Sequence, residues 1–174
     1  MSRLKVVFSY LRKNKYPQIA REFGVKVGEN CRFLTNPYVC FGSEPYLVEI
    51  GNHVEITGEC RFITHDGALW VLRQEKEFEK LDKFGKITVG NNVFIGIRST
   101  VMPGVTIGDN VIVGAGSLVT KSIPTGEVWA GVPAKKICTL DEYKEKTLKL
   151  ADETKGLSAK EKEKAIREKH PDWF

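Results

Sequence analysis

Aliphatic residues recur at every sixth position through the middle of this chain. Val89, Ile95, Val101, Ile107, Val113 and Val119 are all Ile or Val, and Gly follows in four of the six hexads, at Gly90, Gly96, Gly108 and Gly114. Chance gives such a run at roughly 10⁻⁴ per reading frame. The spacing returns upstream at Ile50, Ile56 and Phe62, and less cleanly at Val27, Phe33 and Val39. A six-residue period belongs neither to a helix nor to a plain strand. It describes a short extended piece and a corner, repeated, with one apolar side chain pointing inward each time. Turn residues in "NNV", "PGV" and "DNV" bring a second inward aliphatic at Val93, Val105 and Val111.

Stacked hexads of this kind build a parallel β-helix that buries a continuous apolar column. With three hexads to a triangular coil, the coils are 27–44, 50–67, 89–106 and 107–124. Both breaks in phase, 45–49 and 68–88, fall at the end of a coil. Two insertions leaving at equivalent corners predict loops gathered on one edge of a prism. His65 stands three residues before the longer insertion, in "FITHDG". The open ends of the prism need caps. The sequence supplies "SRLKVVFSYLRKNK" as an amphipathic helix and "YPQIAREFG" as a second, with Pro17 near its start and Gly24 at its end. Downstream, Asp141 opens a helix expected to stop near Gly156. Ser158 to Glu161 form a capping box for another, polar nearly all round, ending before Pro171. The expected organisation is a helical cap over 1–26, a β-helix over 27–138 with its insertion at 68–88, and a helical tail over 139–174.

Composition narrows this picture. An apolar share of 41% and a charged share of 28% fit one globular domain with decoration. No apolar run approaches the length that spans a bilayer, and no signal peptide is read at the start, so the expected setting is the cytoplasm. Cys31, Cys40, Cys60 and Cys138 lack metal-ligand spacing and are expected to be buried thiols. The net charge of +5 divides unevenly: +6 over 1–26, −3 over 27–134 and +2 over 135–174. No basic stripe with interleaved aromatics is present, so nucleic acid is not an expected partner. The basic N-terminus reads as a solvated helix, or else as facing an anionic ligand or membrane surface.

The segment "ITVGNNVFIGIRSTVMPGVTIGDNVIVGAGSLVTKSIPTGEVWAGVPAKKI", residues 87–137, closely resembles the hexapeptide-repeat acyltransferases. Its nearest branch is the sugar and polysaccharide O-acetyltransferases. "FGSEPYLVEIGNHVEIT" and "FITHDG" also resemble members acting on capsular or lipopolysaccharide sugars. The resemblance implies a mainly β fold, a left-handed parallel β-helix of about four coils with helices at both ends. The hand comes from the resemblance alone, since ordinary crossover sterics favour the opposite one. It further implies a homotrimer, acetyl-CoA as co-substrate, a sugar or polysaccharide acceptor, no required metal, and active sites in clefts between subunits. A histidine before the long loop serves as base.

Acetyl transfer to a hydroxyl needs a base, donors for the developing oxyanion, and a dock for a polyanionic carrier. His65 alone of three histidines precedes the loop and matches the "THDG" pattern, so it is the expected base; His53 reads as a turn residue and His170 lies in the charged tail. Asp66 either orients His65 or forms a turn, because neighbours in extended chain often point apart. Glu44, from the other insertion edge, either fixes the imidazole tautomer, binds acceptor, or faces solvent. Asn36 and Trp70 are candidates for the acceptor pocket. Pantetheine is a thin, amide-bearing arm suited to low-bulk backbone, as at Gly96, Gly114, Ala115 and Gly116. Ala115, Thr120, Lys121 and Lys135 match coenzyme-binding positions of the family. Lys135 replaces an arginine often found there, keeping charge but losing bidentate geometry, and Cys138 replaces a second basic residue of some relatives. Trp129 either borders the adenine or packs internally. The insertion, with Trp70, Phe78 and Phe84, is expected to act as lid and inter-subunit clasp.

Two other readings share the scaffold. One is N-acetylation of an amino-sugar nucleotide, and the other is a trimeric scaffold without coenzyme affinity. A zinc-dependent carbonic anhydrase needs three convergent histidines, and only His53 and His65 lie in the prism.

Overall fold

The computed structural model describes residues 15–174, so the first of the two expected N-terminal helices lies outside the described residues. The chain divides into one unit ending at Leu140 and a second over Asp141–Phe174.

The first unit opens with α1 (Tyr16–Phe23), which carries Pro at its start and ends on Gly24 in the left-handed conformation, φ 113°. The first coil follows as β1 (Lys26–Val27), β2 (Arg32–Phe33) and a short helix α2 (Pro37–Cys40). The second has β3 (Val48–Ile50), β4 (Val54–Ile56) and β5 (Arg61–Phe62). A long insertion carries α3 (Leu69–Leu72). The third coil is β6 (Ile87–Val89), β7 (Val93–Ile95) and β8 (Thr100–Val101). The fourth is β9 (Thr106–Ile107), β10 (Val111–Val113) and β11 (Leu118–Val119). Equivalent strands stack in parallel, giving sheets ordered β1-β3-β6-β9, β2-β4-β7-β10 and β5-β8-β11. Beyond the last coil, β12 (Glu127–Gly131) joins β10 in parallel and folds back antiparallel on β13 (Ala134–Thr139).

The inward column is closed to solvent: Ile50, Ile56, Phe62, Val89, Ile95, Val101, Ile107, Val113 and Val119 are all buried. Each contributes about 1.5–3 kcal/mol by leaving water. The second set, Val93, Val105 and Val111, is buried as well. Where glycine follows an inward residue, it has a steric cause. A Cβ on Gly51 would meet the carbonyl oxygen of Gly90 at 2.5 Å.

The first coil departs from the repeat. Val39, expected inward, is exposed on α2, while Cys40 and Phe41 are buried. Asn36 caps this helix, its side chain accepting from the Tyr38 N–H at 3.1 Å, and Pro37 occupies the first turn. A capped Asn-Pro start outcompetes the hexad, and Phe41 fills the space between Phe33 and Phe62, with ring centroids 5.9 and 5.2 Å away.

His53 sits at a corner with φ 54°, matched one coil on by Asn92 and then by Asn110, at φ 55° and 56°. Its Nδ1 pairs with Asn92 Oδ1 at 2.9 Å, and Asn92 Nδ2 donates to Asn110 Oδ1 at 2.7 Å. It is a corner-stacking residue. Among the cysteines, Cys40 and Cys60 are buried while Cys31 and Cys138 are half-buried, and all four are free.

Helix α4 (Leu140–Leu150) starts on the last residue of the first unit and ends short of Gly156, and α5 (Ala159–Lys169) lies in the second unit. The capping box of Ser158 and Glu161 is formed. Lys169 and His170 close on Asp152, and His170 stacks on Trp173 with centroids 3.8 Å apart. No helix among the described residues is long and apolar enough to cross a membrane.

Candidate active site

Both insertions leave the prism at the third corner of a coil, and the site lies where they meet. Glu44 opens the first insertion, just before a 3-10 turn over Pro45–Leu47. Thr64 and His65 follow β5 at the start of the second. The returning stem of that insertion runs antiparallel to them: His65 bridges to Phe84, Gly85 N donates to Thr64 O at 2.8 Å, and Asp66 N donates to Lys83 O at 2.9 Å. The stem is therefore a fixed wall.

His65 Nδ1 lies 2.8 Å from Glu44 Oε2, and the hydroxyl of the buried Thr64 donates to the same oxygen at 2.7 Å. Burial works to raise the Glu44 carboxyl, but hydrogen bonds from Thr64, His65 and Ser43 outweigh it and hold the group below the ordinary carboxylate range. An anionic acceptor at Nδ1 favours the tautomer protonated there and leaves Nε2 as the basic nitrogen. The Phe84 ring stands edge-on to the imidazole at 6.5 Å.

A cavity of about 520 Å³ opens beside this pair, lined by His65, Asp66, Lys83, Phe84, Met102, Pro103, Gly104 and Thr120 among others. The histidine is 45% exposed at its side chain while Glu44 is only 15% exposed. The imidazole faces the cavity and its carboxylate partner sits behind.

The remaining candidates scatter. Asp66 lines the cavity, but its carboxylate accepts the Ala68 N–H at 3.1 Å and faces Lys83 Nζ at 3.6 Å. Of its two readings the turn-forming one has the hydrogen bond, and the imidazole partner is Glu44. Asn36 is engaged as the α2 cap. Trp70, on α3, is 73% exposed and does not line the cavity. Thr120 lines it directly. Gly96 and Gly114 sit where successive coils touch, since a Cβ on Gly96 would meet Ala115 N at 2.5 Å and one on Gly114 would meet Ala130 Cβ at 2.7 Å. Gly116 takes a corner at φ 68° with open space around it, and Ala115 is exposed beside it. Lys121 and Lys135 are exposed, and among the described residues neither joins an ion pair. Lys136 instead pairs with Glu127 at 2.7 Å. Trp129 donates to Glu127 at 2.7 Å and packs on the core, which is the internal reading. Thr64, Lys83 and Met102 escape sequence reasoning, and Phe84 is expected only as part of the lid. Only the antiparallel return of the insertion brings two of them to the histidine, and no spacing signals that.

Residues 86–121 match the family model described as bacterial transferase hexapeptide, six repeats. Protein CapG of Staphylococcus aureus is 50% identical over 158 residues, covering 91% of each chain. The chain belongs to the hexapeptide-repeat transferases. The galactoside O-acetyltransferase of Escherichia coli is 35% identical across 74% of this chain and 70% of its own. A hexapeptide-repeat acetyltransferase from Vibrio cholerae, solved with acetyl coenzyme A, superposes with a TM-score of 0.56. It is 22% identical, covering 76% of this chain and 85% of its own. The prism is accordingly the family's left-handed parallel β-helix, and this member is an acetyltransferase.

Proposed function

We propose that the protein moves an acetyl group from acetyl-CoA to a hydroxyl of a sugar or surface-polysaccharide precursor, with His65 as general base. The observation that carries this reading is the pairing of a half-exposed imidazole with a shielded carboxylate on the wall of a cavity that also contains Thr120. Nε2 takes the proton of the acceptor hydroxyl as its oxygen attacks the thioester carbonyl. The tetrahedral adduct then collapses, the carbon–sulfur bond breaks, and the imidazolium returns the proton to the departing thiolate. Glu44 holds the ring through Nδ1 and leaves Nε2 toward the acceptor. Asp66 shapes the turn beneath the acceptor. Phe84 offers an aromatic face to a sugar ring, and the low-bulk corner at Ala115 and Gly116 suits the pantetheine arm. Lys121 and Lys135, in no ion pair among the described residues, are cations suited to its phosphates.

A sugar acceptor gains support from the galactoside O-acetyltransferase relative. A homotrimer and a cytoplasmic setting belong to the same proposal, the latter supported by four free thiols. Calorimetry with coenzyme A, beside a thiol-release assay over free sugars, amino-sugar nucleotides and polysaccharide oligomers, tests the proposal. His65→Ala is expected to keep coenzyme binding while turnover falls by roughly 10²–10⁴. Unchanged turnover would remove His65 from the chemistry, and absent coenzyme affinity would leave a scaffold.

A further inference from the structure

We propose that Thr64 is a positioning residue that fixes the Glu44–His65 pair and ties both insertions to it, an inference that rests on His65 acting as the base. Thr64 is 2% exposed. A hydroxyl at that depth needs a partner, and its partner is Glu44 Oε2 at 2.7 Å, the same oxygen that lies 2.8 Å from His65 Nδ1. Two donors on one carboxylate oxygen occupy both of its lone pairs. That fixes the rotation of the carboxylate and favours its ionised form, because a charged oxygen accepts more strongly from both donors. The imidazole is then held with hydrogen on Nδ1 and with Nε2 free to act.

The other end of the residue makes the second connection. The Thr64 carbonyl accepts Gly85 N at 2.8 Å, in the returning stem that carries Phe84. Glu44 stands at the mouth of the first insertion and Gly85 at the exit of the second. One residue thus joins the two loops to the pair between them. A valine in its place keeps the shape and the carbonyl contact but removes the hydroxyl.

The test uses Thr64→Val and Thr64→Ser in the full chain, alone and combined with Glu44→Gln, with steady-state kinetics and carboxyl NMR titration. Thr64→Val is expected to lower kcat about tenfold, the scale of one hydrogen bond to a charged group. KM for acetyl-CoA should stay unchanged, and Thr64→Ser should restore most of the rate. In the Glu44→Gln background the valine should cost nothing further, because its effect passes through that carboxylate. The Glu44 carboxyl should titrate at higher pH in Thr64→Val. If the valine variant does not fold, Thr64→Ala makes the same removal. A wild-type kcat in Thr64→Val, a serine variant as slow as the valine, or a full loss in the Glu44→Gln background overturns the proposal. The carboxyl titration needs no turnover. A Glu44 signal unmoved by Thr64→Val overturns the proposal whatever His65→Ala does. A raised titration beside a fully active His65→Ala would sink the base and spare the Thr64 contact.

Discussion

Glu49 shows how much one surface carboxylate can depend on its neighbours. It projects outward from β3, with Lys26 Nζ and Lys86 Nζ each 2.6 Å from one of its oxygens. Hydrogen bonds first from Lys26 and then from Lys86 lower its carboxyl from the ordinary 4.5 to about 2. A depressed folded value means that the stabilisation is present above the unfolded value and lost as pH falls toward about 2. Thermal melts of wild type and Glu49→Gln should therefore differ at neutral pH and converge as pH drops through that window. The gap should shrink in high salt, since both lysines are exposed; a constant gap down to the lowest pH would refute the linkage. The candidate site was legible at this scale only in part. His65 and Glu44 stood out because each interrupts a repeat at an equivalent corner. Thr64 and Lys83 did not, because their places come from one chain segment doubling back on another some twenty residues later, which leaves no period to read.

Elements in this prism are set by how closely one coil approaches the next. The hexad gave away the coils because inward Ile and Val, and the glycine after them, are both forced by stacking. It failed at Val39, where Asn36 and Pro37 start a helix that local capping favours over a third strand. The β12–β13 hairpin was illegible for a related reason, since antiparallel return beyond the last coil follows no hexad. The stacking argument makes a paired prediction. Gly51→Ala places a methyl 2.5 Å from the Gly90 oxygen and 2.7 Å from its carbonyl carbon, so backbone must move. A loss of about 1–3 kcal/mol is expected in denaturant unfolding. At Gly58 the nearest atoms belong to the Ile97 side chain, 3.6 and 3.7 Å away, so Gly58→Ala should stay within about 0.5 kcal/mol. Equal costs at the two positions would mean that close approach is not why glycine follows the inward residue.

Across the whole molecule, the outward surfaces of the three sheets differ in character. The first is polar, with Lys26 and Glu49 side by side in register. The second starts with the Arg32–Glu55 pair and then turns apolar. There Phe94, 40% exposed, lies in register with Ile112, and Ile97 at the next corner is 45% exposed. Side chains of that size in the middle of a β-face are the kind that a neighbouring subunit covers. If the homotrimer forms through this surface, sedimentation equilibrium should give about three times 19.6 kDa. Replacing Phe94 and Ile97 together with lysine should shift the mass toward a single chain, because two desolvated ammonium groups cannot be accommodated in an apolar contact. Neither side chain belongs to the buried core, so the β-sheet circular dichroism should survive. Turnover should fall with the mass if the acetyl donor is held between subunits, and coenzyme binding should weaken in step. A wild-type protein that sediments as one chain would refute the trimer, and a variant that stays trimeric would place its interface on another face of the prism.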